Sequence, residues 1–317
     1  MQIGFAVPQA GSWATPANQV EIAQRAEQLG YASLWTFQRL LYPADTEGPD
    51  AARWAPVYRS VLDPVVTLAF VAAHTRRIRL GVAVLNMPWF SPVLLAKQAA
   101  TLDIVSGGRL DLGLGLGWSR QEYAAAGAPY DRRGARAEEF LRAFRALLTD
   151  PVVEVHGEFT EIEAARVDPK PVQAHLPVLL GGSAQPALQR AGRLADGWVS
   201  SSGQDLRSMR EAVAVVHAAA EAAGRDPAAL RIVARGVVRL RPGSRPDRRP
   251  LTGSLEEIRS DCADLAAAGV TEMFVDLNFD REIGVVEADP AVSMARAHEL
   301  LDGLADLAGR AGPSPGA

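Results

Sequence analysis

Glycine occupies every second position in one short apolar segment of the chain, Leu112–Trp118. Gly113, Gly115 and Gly117 alternate with leucine there, so a strand over this segment would have one face without side chains. Glycine weakens a strand and often marks close approach by a ligand or by another backbone. We interpret the bare face as a wall for a flat ring system, with Trp118 at its end. The alternative is that small residues fill a narrow interior of the sheet.

A second glycine motif, Gly181-Gly182-Ser183, lies between an apolar strand and a helix predicted to begin near Ala184. Backbone N–H groups at a helix N-terminus bind phosphate well, and glycine lets the phosphate approach closely. The alternative is an ordinary tight turn with Ser183 as the helix N-cap. Together the two motifs indicate a flat-ringed cofactor that carries a phosphate. The alternating glycines are not the dinucleotide-binding fingerprint, and no helix is predicted in the polar segment Ser119–Ala128 that follows them.

Other kinds of catalytic site are disfavoured. No HxH or HExxH spacing occurs, so metal catalysis is not expected, and no Gly-x-Ser-x-Gly or Walker motif is present. The single cysteine, Cys262, falls on the apolar stripe of a predicted helix, which favours packing over nucleophilic chemistry. The run Arg132–Arg136 is interpreted as the solvated start of a helix, with a basic patch beside an anionic cofactor tail as the alternative. None of the five histidines follows a predicted strand: His74, His156, His175, His217 and His298.

Composition narrows the class of protein. The chain has 317 residues, is 48% hydrophobic and has a formal net charge of −4. It has no basic patch of the kind that binds nucleic acid, and its longest apolar runs are too short to span a bilayer. The N-terminus lacks a signal-type apolar core. We therefore expect a cytoplasmic protein that has neither nucleic acid nor a membrane as its partner. Arginine outnumbers lysine 31 to 2, as in the proteins of GC-rich genomes.

Strands and helices alternate along the chain, which favours a parallel sheet with helical crossovers. Eight strands in order predict an α/β fold of the closed (β/α)8 TIM-barrel type, and an open doubly wound sheet is the alternative. In such a barrel the active site lies at the C-terminal ends of the strands. The predicted strands are Gln2–Val7, Ser33–Thr36, Ile78–Val84, Leu110–Leu116, Pro177–Leu180, Gly197–Ser201, Arg231–Leu240 and Glu272–Leu277.

The predicted helices are marked by their ends. Asp63-Pro64 and Ser91-Pro92 have the residue types that begin helices, and Gly107 has the type that ends one. Residues 1–308 are expected to form a single domain, with 151–175 as a hairpin insertion and 309–317 as a disordered tail. The insertion and the Pro-, Gly- and Arg-rich segment Arg241–Gly253 would cover the site as lids.

With these motifs placed, the chain resembles the luciferase-like oxidoreductases, and within them the branch that uses the deazaflavin coenzyme F420. The resemblance covers nearly all of residues 1–305. It is carried above all by TLDIVSGGRLDLGLGLGWSRQE at Thr101–Glu122. Supporting matches lie at Ile78–Pro88, Pro92–Gln98, Pro169–Gly182, Ala195–Val199 and Gly253–Leu277.

The resemblance implies a barrel in which a deazaflavin or flavin lies across the strand ends. It implies a bulge in the third strand at Ala83 and Val84, often with a non-prolyl cis peptide behind the ring, and Asn86 just beyond. Gly181, Gly182 and Ser183 would hold the cofactor phosphate. The residues implied to line the cofactor after the fourth strand are Gly115, Gly117, Trp118, Gln121 and Glu122.

The chain departs from many relatives at two places. Gln38 and Arg39 follow the second strand, where an acidic residue and a histidine are common. Trp118 stands where sugar-phosphate-oxidising members have a glutamate, so that reaction is not expected. Gln38 and Arg39 are the candidate catalytic residues, and Arg39 would orient or stabilise an anionic substrate group. Trp118, Trp13 and Trp35 would form apolar walls, unless Trp35 belongs to the core.

The leading hypothesis is hydride transfer between coenzyme F420 and a small organic substrate, because GC-rich bacteria often make this cofactor. The second is an FMN-dependent monooxygenase that uses reduced flavin, oxygen and a partner reductase. The third is a barrel that binds a cofactor or ligand without turnover, since no acid–base pair is evident. The protein is expected to be a homodimer, as relatives of this type often are.

Overall fold

Eight parallel strands close into a barrel in the computed structural model, which describes residues 1–45, 50–243 and 247–309. Going round the barrel, β1 is followed by β12, β9, β8, β7, β4, β3 and β2, and β1 pairs with both β12 and β2. The predicted TIM barrel is confirmed, and the open sheet is excluded. The barrel strands are β1 (Gln2–Ala6), β2 (Ser33–Thr36), β3 (Arg79–Asn86), β4 (Leu110–Gly115), β7 (Val178–Gly181), β8 (Gly197–Val199), β9 (Arg231–Val237) and β12 (Glu272–Asp276).

Helices surround the barrel, and two of them begin at the predicted capping residues Asp63 and Ser91. The Asp63 carboxylate accepts a hydrogen bond from the Val66 N–H, and the Ser91 hydroxyl accepts one from the Leu94 N–H. Gly107 ends its helix in the left-handed conformation, at φ 70°. The described helices are α1 (Pro16–Gln28), α2 (Pro64–His74), α3 (Pro92–Ser106), α4 (Arg120–Ala125), α5 (Arg133–Thr149), α6 (Gln185–Leu194), α7 (Met209–Ala222), α8 (Leu255–Ala267), α9 (Pro290–Gly303) and α10 (Ala305–Ala308).

In the part of the chain that the structure describes, four short strands lie outside the barrel. Within the segment 151–175, β5 (Val153–His156) and β6 (Glu161–Ala165) pair as an antiparallel hairpin. The predicted strand Arg231–Leu240 is divided, because β9 ends at Val237 and β10 (Arg239–Leu240) pairs with β11 (Thr252–Gly253). Part of the predicted lid segment 241–253 and most of the predicted tail, residues 244–246 and 310–317, lie outside the described residues.

The prediction of no helix in Ser119–Ala128 is wrong. The Ser119 hydroxyl accepts a hydrogen bond from the Glu122 N–H and caps α4, and Glu122 and Tyr123 are buried. Six residues are too few to show a helical repeat of apolar residues, so only the cap was available as a signal. The short helix places the Glu122 side chain against the loop after β2, where it accepts a hydrogen bond from the Leu40 N–H.

The N-terminal half of the barrel interior is filled by side chains. Asp111, Arg79, Arg231 and Glu272 form a charged network at the start of the strands. Above it, Trp35 stacks on Phe274 with 5.1 Å between ring centroids. The glycine motifs lie beyond these side chains, at the C-terminal ends of the strands.

Candidate functional site

A cavity of about 700 Å³ opens at the C-terminal ends of the barrel strands. All of the predicted site residues line it except Gln121 and Glu122. The predicted residues that it brings together are Gln38, Arg39, Ala83, Val84, Asn86, Gly115, Gly117, Trp118, Gly181, Gly182 and Ser183. We call it the main cavity.

A bulge in β3 forms one wall of the main cavity. The register between β3 and β4 shifts between Val82 and Leu85, and the Ala83–Val84 peptide bond is cis, as the resemblance implied. A Cβ added to Gly115 would lie 2.5 Å from Val84 Cγ2, and one added to Gly181 would lie 2.8 Å from Val84 Cγ1. Real side chains do not approach this closely, so these glycines make room for Val84.

The glycine face of β4 thus combines both interpretations made from the sequence. A Cβ on Gly113 would lie 2.1 Å from the Val82 carbonyl oxygen, so this glycine serves packing inside the barrel. Gly115 and Gly117 reach the main cavity. The wall offered to a ligand is therefore built jointly by Val84 and the two outer glycines.

Gln38 holds the end of the bulge. Its Oε1 accepts hydrogen bonds from the Asn86 backbone N–H at 2.8 Å and from Asn86 Nδ2 at 3.3 Å. A Cβ on Gly117 would lie 3.1 Å from Asn86 Oδ1, so Asn86 in turn packs against Gly117. Gln38 and Asn86 are both buried and link the ends of β2, β3 and β4.

Arg39 is a buried cation inside an aromatic cage formed by Trp54, Tyr58 and Trp118. Its guanidinium carbon lies 4.7 Å from the Tyr58 ring centroid and 4.9 Å from that of Trp118. Arg39 Nη1 lies 3.0 Å from Glu122 Oε2. Burial lowers the pKa of Arg39 although Glu122 opposes this, and an arginine still stays protonated. Arg39 therefore places a positive charge in the wall of the main cavity.

Neither Glu122 nor Gln121 lines the main cavity, but Glu122 contacts residues of the loop after β2 that do. Glu122 is fully buried, and its Oε1 accepts a hydrogen bond from the Leu40 N–H at 2.8 Å. Burial raises the pKa of Glu122, and Arg39 and the backbone N–H groups offset this only in part. Gln121 Oε1 instead accepts a hydrogen bond from the Ser119 hydroxyl at 3.2 Å. Glu122 is thus a positioning residue for Arg39 and for the loop after β2.

Glu122→Gln is expected to lower the free energy of unfolding by about 1–3 kcal/mol, because Arg39 loses its charged partner in a buried site. The affinity for the cofactor is expected to change by no more than about twofold. The change in binding free energy is then well below the 1.4 kcal/mol that corresponds to a tenfold change. Urea unfolding and a cofactor fluorescence titration measure the two effects. A loss of cofactor affinity without a loss of stability would instead place Glu122 at the ligand.

Arg235 is a site residue that the sequence reasoning missed. It lies in β9, donates to Asp276 Oδ2 at 2.7 Å and to the Ala83 carbonyl oxygen at 3.1 Å. Its guanidinium carbon lies 4.8 Å from the Phe37 ring centroid and 4.4 Å from that of Phe279. A charge in the middle of an apolar strand was the available signal, since a buried arginine needs a partner. Arg235 thus connects the cavity to the cis peptide of the bulge.

Four arginines, Arg53, Arg132, Arg133 and Arg190, form a cationic rim on the main cavity. The Arg133 guanidinium donates to the Gly117 carbonyl oxygen at 3.2 Å. Arg132 is ion-paired with Glu158 of the hairpin. Part of the run Arg132–Arg136 is therefore a basic patch at the cavity, and Arg136 faces the Phe159 ring instead.

The turn Gly181-Gly182-Ser183 leads into α6 beside this rim. Gly182 has φ +133°, and its carbonyl oxygen accepts a hydrogen bond from Trp198 Nε1 at 2.8 Å. Ala184, and not Ser183, is the N-cap of α6, and no side chain caps the helix. Pro186 has no N–H and the Ala187 N–H donates to the Ala184 carbonyl oxygen, so Gln185 supplies the remaining N–H of the first three helical positions, which suits an incoming anion.

Aromatic rings close the opposite side of the main cavity. Phe37, Tyr58 and Phe279 line it together with Trp118. Trp13 and Trp35 do not line it, because both are fully buried in the core. The expectation of a cavity wall is therefore wrong for Trp13, and the alternative that Trp35 belongs to the core is confirmed.

Two features are absent from the described residues. No group of three or more His, Cys, Asp or Glu side chains is placed to hold a metal ion. Within the same residues, every helix is too short or too polar to cross a membrane.

The model of the luciferase-like monooxygenase family matches residues 2–249. The chain belongs to this family. An uncharacterized family relative from Mycobacterium tuberculosis is 34% identical over 211 residues, which cover 65% of this chain and 72% of that protein. The family also places the chain among oxidoreductases, which agrees with a cavity at the barrel's C-terminal end.

Two further relatives differ in cofactor. The FMNH2-dependent dimethylsulfone monooxygenase of Pseudomonas putida is 32% identical over 224 residues, which cover 69% of this chain and 57% of that enzyme. The F420-dependent glucose-6-phosphate dehydrogenase of Amycolatopsis mediterranei is 31% identical over 198 residues, covering 60% and 55%. The chain thus spans little more than half the length of these two enzymes.

The fold of the family is also found in solved structures. The monooxygenase RslO1 from Streptomyces bottropensis superposes with a TM-score of 0.76 over 96% of this chain and 98% of that one, at 20% identity. This likeness concerns the barrel and its connections.

Proposed function

We propose that this luciferase-like protein is an oxidoreductase that transfers a hydride between coenzyme F420 and a small organic substrate. The cationic rim is the observation that carries the choice of cofactor. F420 has an acidic tail beyond its phosphate, whereas FMN ends at its phosphate. Arg132 and Arg190 are ion-paired with Glu158 and Glu138, so Arg53 and Arg133 supply the positive charge beyond what a single phosphate requires.

The residues of the main cavity fit such a cofactor. The uncapped N-terminus of α6 and the turn Gly181-Gly182-Ser183 would hold the phosphate. The β3 bulge, Gly115 and Gly117 would lie against the ring, where a larger side chain at either glycine would collide with Val84 or Asn86. The bound cofactor supplies the hydride chemistry, and the protein supplies position and environment.

The chain's own residues would act on the cofactor and the substrate in three ways. Arg235 donates to the Ala83 carbonyl oxygen and keeps the bulge and its backbone dipole in place. Phe37, Tyr58, Phe279 and Trp118 exclude water from the reacting end of the cavity. Arg39, held by Glu122, would orient a substrate through its charge.

A second candidate is an FMN-dependent monooxygenase with a partner reductase. The Pseudomonas putida enzyme supports it, because the similarity covers more of this chain than that of the F420-dependent relative. A cavity with a phosphate turn and a bulge suits either ring system.

A fluorescence titration of the purified protein with oxidised F420 and with FMN distinguishes the two. We expect F420 to bind at least about tenfold more tightly, and Arg133→Gln/Arg190→Gln to weaken F420 more than FMN. Arg76→Gln/Arg142→Gln removes the same charge at exposed positions away from the cavity and should change neither affinity. Tighter binding of FMN would favour the monooxygenase.

A further inference from the structure

A second cavity, of about 260 Å³, lies beside the main cavity and shares Ser202 and Arg235 with it. Its walls come from the segment after β8 and from residues around β10 and β11. Arginine dominates the charged lining, with Arg207, Arg235, Arg239 and Arg249 against a single carboxylate, Asp205. We call it the arginine cavity.

The positive charges of the arginine cavity are only partly neutralised. Arg235 is ion-paired with Asp276 at 2.7 Å. Asp205 Oδ1 accepts a hydrogen bond from the Arg207 N–H at 3.0 Å, and so caps a short 3-10 helix. Among the described residues, the guanidinium groups of Arg239 and Arg249 have no carboxylate within ion-pair distance.

Burial makes the charge of Arg239 costly, whereas Arg207 and Arg249 are exposed. Burial lowers the pKa of Arg239, Asp280 offsets this in part, and the neighbouring Arg249 lowers the pKa further. An unpaired cation that is partly removed from water is destabilising, and a bound anion would relieve both the desolvation and the repulsion between the arginines. Guanidinium groups suit planar or tetrahedral oxyanions because each can donate two parallel hydrogen bonds.

We propose that the arginine cavity binds an oxyanion, a carboxylate or a phosphate, that is part of the substrate. The reacting end of that substrate enters the main cavity past Ser202 and Arg235. This assignment rests on the proposed function, because it takes the main cavity as the place of the redox step. The phosphate turn and the cationic rim use a separate set of residues, so the cofactor's anionic groups have their own partners.

In the first test, the cofactor-free protein is titrated with inorganic phosphate, and calorimetry measures the binding. Chloride is the balancing anion that keeps the ionic strength constant. We expect Arg239→Gln/Arg249→Gln to raise the Kd of one phosphate site at least about tenfold. Arg133→Gln/Arg190→Gln should remove only the other site, and the charge-matched Arg76→Gln/Arg142→Gln should leave both. An unchanged phosphate isotherm in Arg239→Gln/Arg249→Gln would overturn the proposal. Thermal unfolding without phosphate shows whether each variant is folded.

The second test separates substrate from cofactor. F420 and FMN affinities are expected to stay within about twofold in Arg239→Gln/Arg249→Gln. A tenfold or greater loss would show that the arginine cavity holds the cofactor tail, and would overturn the substrate assignment. If the wild-type protein binds neither cofactor, the proposed function fails, while a phosphate site lost only in Arg239→Gln/Arg249→Gln still supports the oxyanion site.

Discussion

Asp111→Asn is expected to lower the free energy of unfolding by about 3–5 kcal/mol, because it leaves two arginines inside the barrel without their shared carboxylate. Asp111 is fully buried, and its oxygens accept hydrogen bonds from Arg79 Nη2 and Arg231 Nη1 at 2.6 Å each. Asparagine keeps the shape of the side chain but not its charge. Glu272 pairs with Arg231 only and cannot replace Asp111 at Arg79.

Urea unfolding of Asp111→Asn against the wild type measures this effect. The matched control is Asp302→Asn, which breaks an exposed ion pair with Arg25 and is expected to cost less than about 1 kcal/mol. Equal losses in the two variants would show that the charged network does not hold the barrel closed.

The same carboxylate gives the stability of the protein a defined dependence on pH. Burial alone raises the pKa of Asp111, but Arg231 and Arg79 outweigh it, so the net pKa lies below the ordinary value. A carboxyl whose pKa is lowered on folding stabilises the protein above its unfolded value of about 3.9 and loses that contribution as the pH falls through the folded value. As the pH falls below about 4, the free energy of unfolding of Asp111→Asn should therefore decrease less than that of the wild type.

Gly115→Ala is expected to lower cofactor affinity at least about tenfold, since overpacking a tight site costs typically 1–3 kcal/mol. The added Cβ would lie 2.5 Å from Val84 Cγ2, so the β3 bulge must move. That bulge forms the wall against which the cofactor ring is proposed to lie. Fluorescence titration with the cofactor that binds the wild type measures the change.

A double-mutant cycle shows whether the loss arises from this contact. In Val84→Ala/Gly115→Ala the clashing methyl group is absent, and affinity should recover to that of Val84→Ala alone. Gly309→Ala is the control, because its added Cβ would lie 3.6 Å from the Ala305 carbonyl oxygen, an ordinary contact. No recovery in the double variant would mean that Gly115 touches the ligand directly.

Local features of the fold could be predicted from the sequence. Asp63 and Ser91 cap their helices as predicted, because a cap depends on residues within one turn of the chain. Thr101–Glu122 carried the family resemblance, and the family match bears it out. The short helix α4 was missed because six residues give no repeat to recognise.

The candidate site was predicted only in part, and the parts that failed depend on contacts between distant residues. Glu122 and Arg39 are far apart in the chain, yet they pair at 3.0 Å. Arg235 reaches the Ala83 carbonyl oxygen across 152 positions. Neither pair leaves a pattern in a single segment. Trp13 was assigned to the cavity by residue type alone, and its burial in the core decided otherwise.

The sequence by itself determined the eight barrel strands, the helix caps at Asp63 and Ser91, and the two glycine motifs, because each arises from backbone preferences within a few residues. The tertiary structure alone decided what those motifs face. Closure of the barrel placed Val84 against Gly115 and Gly181, so the Val84 side chain fills part of the space beside the glycine face of β4. Gly115 and Gly117 still line the main cavity. It also gathered arginines from separate loops into one rim and one further cavity. Such a concentration of charge exists only when strands that are distant in the chain end side by side.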